Sequence, residues 1–187
     1  MNAFESLVSM LLRREGYWTI PSFKVELEKE EKKKIGRASA PRWEIDIVAY
    51  KGSTGEVLAV ECKSYINSGG VDFRNGGLTP ATRYKMFTEP ALREVVLDRL
   101  KTQLIDSELC PKDIQVKLAM ATGNIKVKSQ KNSSEEHDEM RSYFEKEGWV
   151  LFDDNWICNA LTALKDSDYE DDIAFYTAKL VLHKNKK

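Results

Sequence analysis

Residues 42–65, Arg-Trp-Glu-Ile-Asp-Ile-Val-Ala-Tyr-Lys-Gly-Ser-Thr-Gly-Glu-Val-Leu-Ala-Val-Glu-Cys-Lys-Ser-Tyr, decide how this chain folds. Two runs rich in β-branched and aromatic residues flank a glycine-containing turn, the pattern of a β-hairpin. A loop over 52–55 pairs Lys51 with Glu56 and thereby fixes every other cross-strand pair. Asp46 then stands opposite Glu61, and Glu44 opposite Lys63. Alternate residues of a strand share a face, so Glu44 projects with Asp46 and Glu61 with Lys63. Opposed Cβ atoms lie about 4.5–5.5 Å apart, and like charges so placed are destabilising. Asp46 and Glu61, set in otherwise apolar strands, therefore call for a cation.

The bulk composition limits what surrounds this hairpin. At 187 residues the chain suits one domain with a real core and room for an appended helix. Its 42% hydrophobic and 32% charged residues are ordinary for a soluble protein. No apolar stretch approaches the roughly 20 residues that cross a bilayer, so no membrane association is expected. Three cysteines, Cys62, Cys110 and Cys158, are widely spaced in apolar surroundings and read as buried thiols of a reducing compartment, the cytoplasm. With only His137 and His183, a histidine-rich metal site is not expected, and His137, in a run of acids, reads as solvent-exposed. The net charge of −1 conceals an asymmetry, since residues 132–172 hold 3 Lys/Arg against 13 Asp/Glu. The basic remainder includes the hairpin, the side a polyanion would approach.

Outward from the hairpin, apolar spacing predicts a helix over 3–15 and a strand near 23–27. The charge run 28–34 reads as a solvated turn, with a phosphate-contacting arm as the sharper alternative. Residues 64–88 lack periodicity and mix Tyr65, Phe73, Tyr84 and Phe87 with Arg74, Arg83 and Lys85. Aromatics beside cations suit nucleic-acid contact through stacking and phosphate pairing, and a mobile connector is the competing reading. Arg42, leading into the first hairpin strand, is a further candidate phosphate contact beside a solvated-linker reading. Helices are predicted over 90–107, 135–147, 155–164 and 173–183, and strands over 114–122 and 149–152. Trp43, Trp149 and Trp156 read as packing residues. Antiparallel strands followed by crossover units give an α/β chain, with an α+β core and a mixed central sheet flanked by helices.

Hydrolysing a phosphodiester needs an activated water and neutralised charge, which Mg²⁺ supplies through one or two carboxylates. Asp46 and Glu61 are suitable hard-oxygen ligands, and the Cys62 carbonyl lies between the site residues. Lys63 would hold water or stabilise developing negative charge. Glu44 is expected to pair with Lys63, with support of the metal site as the bolder role.

In Asp46…Glu61-Cys62-Lys63 the chain resembles the PD-(D/E)xK nuclease superfamily, with Ile45 at the signature's proline position. It is most similar to the Mrr-type restriction endonucleases and next to archaeal Holliday-junction resolvases. The likeness extends to the opening helix, from Phe4-Glu5 to Gly16-Tyr17, and to the closing unit around Trp149–Asp154. The resemblance implies a restriction-endonuclease-like three-layer fold over residues 1–164, with 165–187 a C-terminal helix and basic tail. It implies a DNA endonuclease of restriction or repair type, dependent on Mg²⁺, with Mn²⁺ substituting. Asp46, Glu61, Cys62 and Glu5 would hold the metal, Lys63 would complete the catalytic set, and Gln103 would support it. A resolvase, or a catalytically silent nucleic-acid or partner-binding module, are the alternatives. Cutting both strands of DNA needs two sites, so a homodimer is compatible with this reading.

Overall fold

A computed structural model describes residues 1–37, 39, 42–127, 133–166 and 172–184. The predicted hairpin is present as β2 (Trp43–Lys51) and β3 (Glu56–Lys63), with Lys51 opposite Glu56 as read from the sequence. Its turn closes through Gly55 N–H to the Lys51 carbonyl at 3.0 Å, and Gly55 takes φ +69°, which a glycine adopts without the Cβ penalty. β1 (Trp18–Val25) pairs antiparallel on the outside of β2. β6 (Gln115–Thr122) and β7 (Val150–Phe152) add parallel to β3. The order β1-β2-β3-β6-β7 is therefore a five-stranded mixed sheet. Parallel neighbours need long crossovers, supplied by α4 (Pro90–Asp106) and α5 (Ser133–Lys146).

Each sheet face carries its own core. On one face Val57, Ala59, Leu118 and Met120 meet Leu92, Val96, Leu100 and Leu104 of α4 and Met140 and Phe144 of α5. On the other, Leu58, Val60, Ala119 and Ala121 meet α1 (Ala3–Arg14), α6 (Asp154–Ala163) and α7 (Ile173–Lys184) through Val8, Leu11, Leu12, Ile157 and Phe175. Alternation along β3 and β6 thus divides the strands between two helix layers. The chain is a mixed α+β fold, with its sheet flanked by helices on both sides. No described helix is long and apolar enough to cross a membrane.

Two expectations are corrected. The charge run forms α2 (Lys29–Lys34), because Glu28 and Glu31 close a capping box and Glu31 takes the Arg99 guanidinium at 2.8–3.0 Å. Residues 64–88 are built structure: a hairpin of β4 (Asp72–Arg74) and β5 (Gly77–Thr79), a 3₁₀ turn over Ala81–Arg83, and α3 (Lys85–Thr88). Tyr84 and Phe87 are buried core residues, and Phe73 packs against Tyr143 at 5.2 Å. These rings fill the molecule and are not stacking platforms. The predicted 126–134 linker falls partly outside the described residues, as does most of the acidic segment before α7.

Candidate active site

The site forms where the sheet divides. β2–β3 pairing runs from Lys51↔Glu56 only to Ile47↔Val60. Beyond it β2 keeps β1 as far as Trp43, while β3 keeps β6 as far as Lys63, so the two strands part. The Asp46 carboxylate enters the opening and accepts the Cys62 backbone N–H at 2.7 Å. That bond satisfies a donor that strand pairing leaves free. The predicted register holds from Lys51↔Glu56 to Ile47↔Val60, but the expected Asp46–Glu61 pair does not form and Asp46 meets the Cys62 backbone. Cys62 donates its backbone N–H to Asp46 here.

The same point interrupts the strand's alternation. Ile45 packs in the α4 core and Ile47 in the α1 core, although they are two residues apart. In β1 the ladder skips Ser22, the residue facing Asp46, and Ser22 has φ +50°. A non-glycine residue there costs about 1–3 kcal/mol and persists only where its surroundings enforce it.

Glu61 and Lys63 project together as expected, with Nζ 2.5 Å from Glu61 Oε1 and each side chain about one-fifth exposed. Burial alone would lower the Lys63 pKa. Glu61, and behind it Asp46 and Tyr65, outweigh that effect and raise it, so the ammonium stays charged. The Asp46 carboxyl is pushed up to about 6, first by burial and then by the Glu61 and Glu5 charges; the Cys62 N–H and Lys63 oppose this. Burial and the same carboxylates also push the Cys62 thiol up, leaving it neutral and unreactive.

Glu5 arrives from the first turn of α1. Its carboxylate closes a capping box, accepting from Asn2 N–H at 2.9 Å and Asn2 Nδ2 at 2.5 Å. Its charge nevertheless reaches both Asp46 and Cys62. Asp46 and Glu61 beside the Lys63 ammonium, with the Glu5 charge felt at Asp46, fit a hard cation by donor chemistry, since like charges already raise Asp46. Their ligand atoms do not converge tightly. Among the described residues, three such atoms lie within 4.8 Å of one another only at His137, Asp153 and Asp154.

That second cluster has a structural explanation. Asp153 caps α6 through Trp156 N–H at 2.9 Å and takes Arg141 at 2.5 and 2.7 Å, tying α5 to α6. His137 lies 3.8 Å from Asp154 with its side chain 13% exposed, so the expected solvent exposure is wrong. α6 folds over it. Of the cysteines, Cys110 is buried and Cys62 half-buried, whereas Cys158 is exposed on α6, against expectation.

Several predicted contributors lie elsewhere. Glu44 is exposed and stands opposite Lys24 of β1, because β2 has already left β3 and Lys63. Gln103 clamps the edge strand's backbone, accepting from Glu26 N–H at 2.7 Å and donating to the Lys24 carbonyl at 3.3 Å. α4 packs on β1 and carries Gln103 there, so Gln103→Ala is expected to lower stability by about 1 kcal/mol in urea denaturation. Arg42 pairs with Glu26 at 2.8 Å and Arg74 with Asp72 at 2.6 Å, each a local ion pair at the surface. Arg83 is exposed and Lys85 opens α3.

Asp46→Asn keeps an acceptor for the Cys62 N–H and removes the charge. The folded-state pKa of about 6 lies above that of an unfolded aspartate, so the folded protein holds the proton more tightly. Wild-type stability should therefore fall as pH rises from about 4 through about 6, by about 1–2 kcal/mol once solvent screening is allowed for. In EDTA, Asp46→Asn is expected to match wild type in urea midpoint near pH 4 and exceed it near pH 7.5. Equal midpoints at both would place Asp46 in an ordinary solvated setting.

No family model matches the chain, and no curated protein does. Among solved structures, the crystal structure of AF1548, a protein of unknown function, resembles 91% of this chain and 73% of its own, at 15% identity and a TM-score of 0.49. That likeness bears on neither family nor activity.

Proposed function

We propose that this chain is a metal-dependent endodeoxyribonuclease of the PD-(D/E)xK type, restriction or repair in role, working in the cytoplasm. One observation carries the reading: β2 and β3 part at Asp46, leaving that carboxylate, Glu61 and Lys63 together in the opening. Asp46, Glu61 and Glu5 would hold Mg²⁺ or Mn²⁺, with the Cys62 carbonyl as the backbone ligand. A bound divalent ion lowers the pKa of water and neutralises charge on a phosphate. The Cys62 N–H fixes the Asp46 carboxylate, and Glu61 fixes the Lys63 ammonium. Lys63, held charged, is suited to orient the attacking water or to stabilise negative charge building on the phosphate.

A second reading, a DNA-binding module without turnover, draws on the loose spacing of the three carboxylates. An assay separates the two. Supercoiled, linear, methylated, branched and single-stranded DNA are incubated with the protein and Mg²⁺ or Mn²⁺. Cleavage of at least one, abolished by EDTA, is expected; no cleavage of any would leave only the binding module.

A further inference from the structure

A groove of about 730 Å³ opens beside the site, and it rests on α1 on one side and the 64–68 loop on the other. Asn2, which lines it, donates to the Glu5 carboxylate at 2.5 Å. Its opposite wall begins at Ser64, the residue after Lys63. The groove therefore borders the candidate site. Its size is that of a small-molecule pocket.

The lining is uncharged. Phe4, Leu7 and Ile66 give apolar surface, while Asn2, Ser64 and Asn67 give amide and hydroxyl groups. No lysine or arginine lies among the lining residues, so no side-chain cation of the groove would pair with a phosphate. Ile66 is 64% exposed, an apolar side chain held out toward solvent. The wall that presents it is fixed. Ser68 N–H donates to the Tyr65 carbonyl at 3.1 Å, and Asn124 Nδ2 to the Ser68 carbonyl at 3.1 Å. Beneath the loop, Gly123 N–H donates to the Lys63 carbonyl at 3.1 Å. A wall so tied is pre-organised, which limits the ordering a ligand must bring about.

Apolar surface with a few neutral donors and acceptors matches a nucleobase, whose faces are apolar and whose edges carry such groups. In a paired duplex the faces are stacked and the edges are in use. We infer that this groove receives an unpaired nucleobase next to the bond to be cut, so that the substrate is DNA with a single-stranded, bulged or extruded nucleotide. This rests on the nuclease reading for its substrate, but binding can be measured without cleavage.

The test uses fluorescence anisotropy of the full chain in Ca²⁺, with three DNAs of one length: a perfect duplex, a duplex with one bulged nucleotide, and the same bulge made abasic. The bulged DNA is expected to bind about tenfold tighter than the duplex, and the abasic bulge to fall back to the duplex level. Ile66→Ala, a change at an exposed position, is expected to reduce that preference while leaving duplex binding unchanged. Equal affinity for all three DNAs, or an abasic bulge bound as well as the intact one, overturns the inference. If the preference holds but Mg²⁺ supports no cleavage, the groove assignment stands and the nuclease reading falls.

Discussion

Asp46→Ala is expected to lower single-turnover DNA cleavage by about 10³-fold or more, and Lys63→Ala by about 10²–10³-fold. Asp46 is the one carboxylate anchored by the backbone of the opposite strand, through Cys62 N–H at 2.7 Å. Its loss removes the oxygen donor and frees that N–H together. The Lys63 charge opposes the upward push on the Asp46 carboxyl, and Lys63 is bound to Glu61. Without it the Asp46 and Glu61 charges repel unrelieved. Lys63→Ala should therefore lose stability in EDTA and regain part of it with Mg²⁺, since a cation replaces the lost ammonium. Lys63→Arg is not expected to rescue activity, because the planar guanidinium cannot place its charge where a compact ammonium stood. Gln103→Ala, remote from the opening, should cut at the wild-type rate. Wild-type rates in both site variants would remove these residues from the chemistry.

Gly123→Ala is expected to be as informative about the frame as Asp46 is about the chemistry. A Cβ at Gly123 would fall well inside contact distance of the Ser64 carbonyl oxygen and 2.7 Å from Ile66 Cγ1. The Ser64 atom is backbone, so relief requires the chain after Lys63 to move. Overpacking of this kind costs about 1–3 kcal/mol. A shift of about 1 Å in a neighbouring catalytic group can cost about 10²-fold in rate. Urea denaturation and single-turnover cleavage should both report the change. Wild-type values in both would mean that the loop yields freely and does not set the position of Lys63.

The β2–β3 register was legible because a short turn with Lys51 and Glu56 at its ends leaves one pairing for the strands it joins. The helix periods were legible for the same local reason, and α1, α4 and α6 lie within a residue of their predicted limits. The parting of the strands was not. It is decided by β1 and β6, which retain the outer edges of β2 and β3, and by the positive φ at Ser22, whose one local signal is the preceding Pro21. Glu44 was misplaced for that reason alone. α2 looked like a solvated turn because its partner, Arg99, is 68 residues away along the chain. The aromatics of 64–88 suggested a nucleic-acid surface because their burial is purely tertiary, with Phe87 against Phe144 and Trp149. Glu5 was legible as a first-turn acid, but its reach to Asp46 depends on how α1 lies across the sheet.

The opening at Asp46 is proposed to hold a divalent cation. Calorimetric titration of the purified chain with Mn²⁺ near pH 7.5 tests it most directly. Saturable binding by wild type and Gln103→Ala, lost or strongly weakened in Asp46→Ala, is the expected result. Undiminished Mn²⁺ binding by a folded Asp46→Ala, or none by wild type, would contradict it.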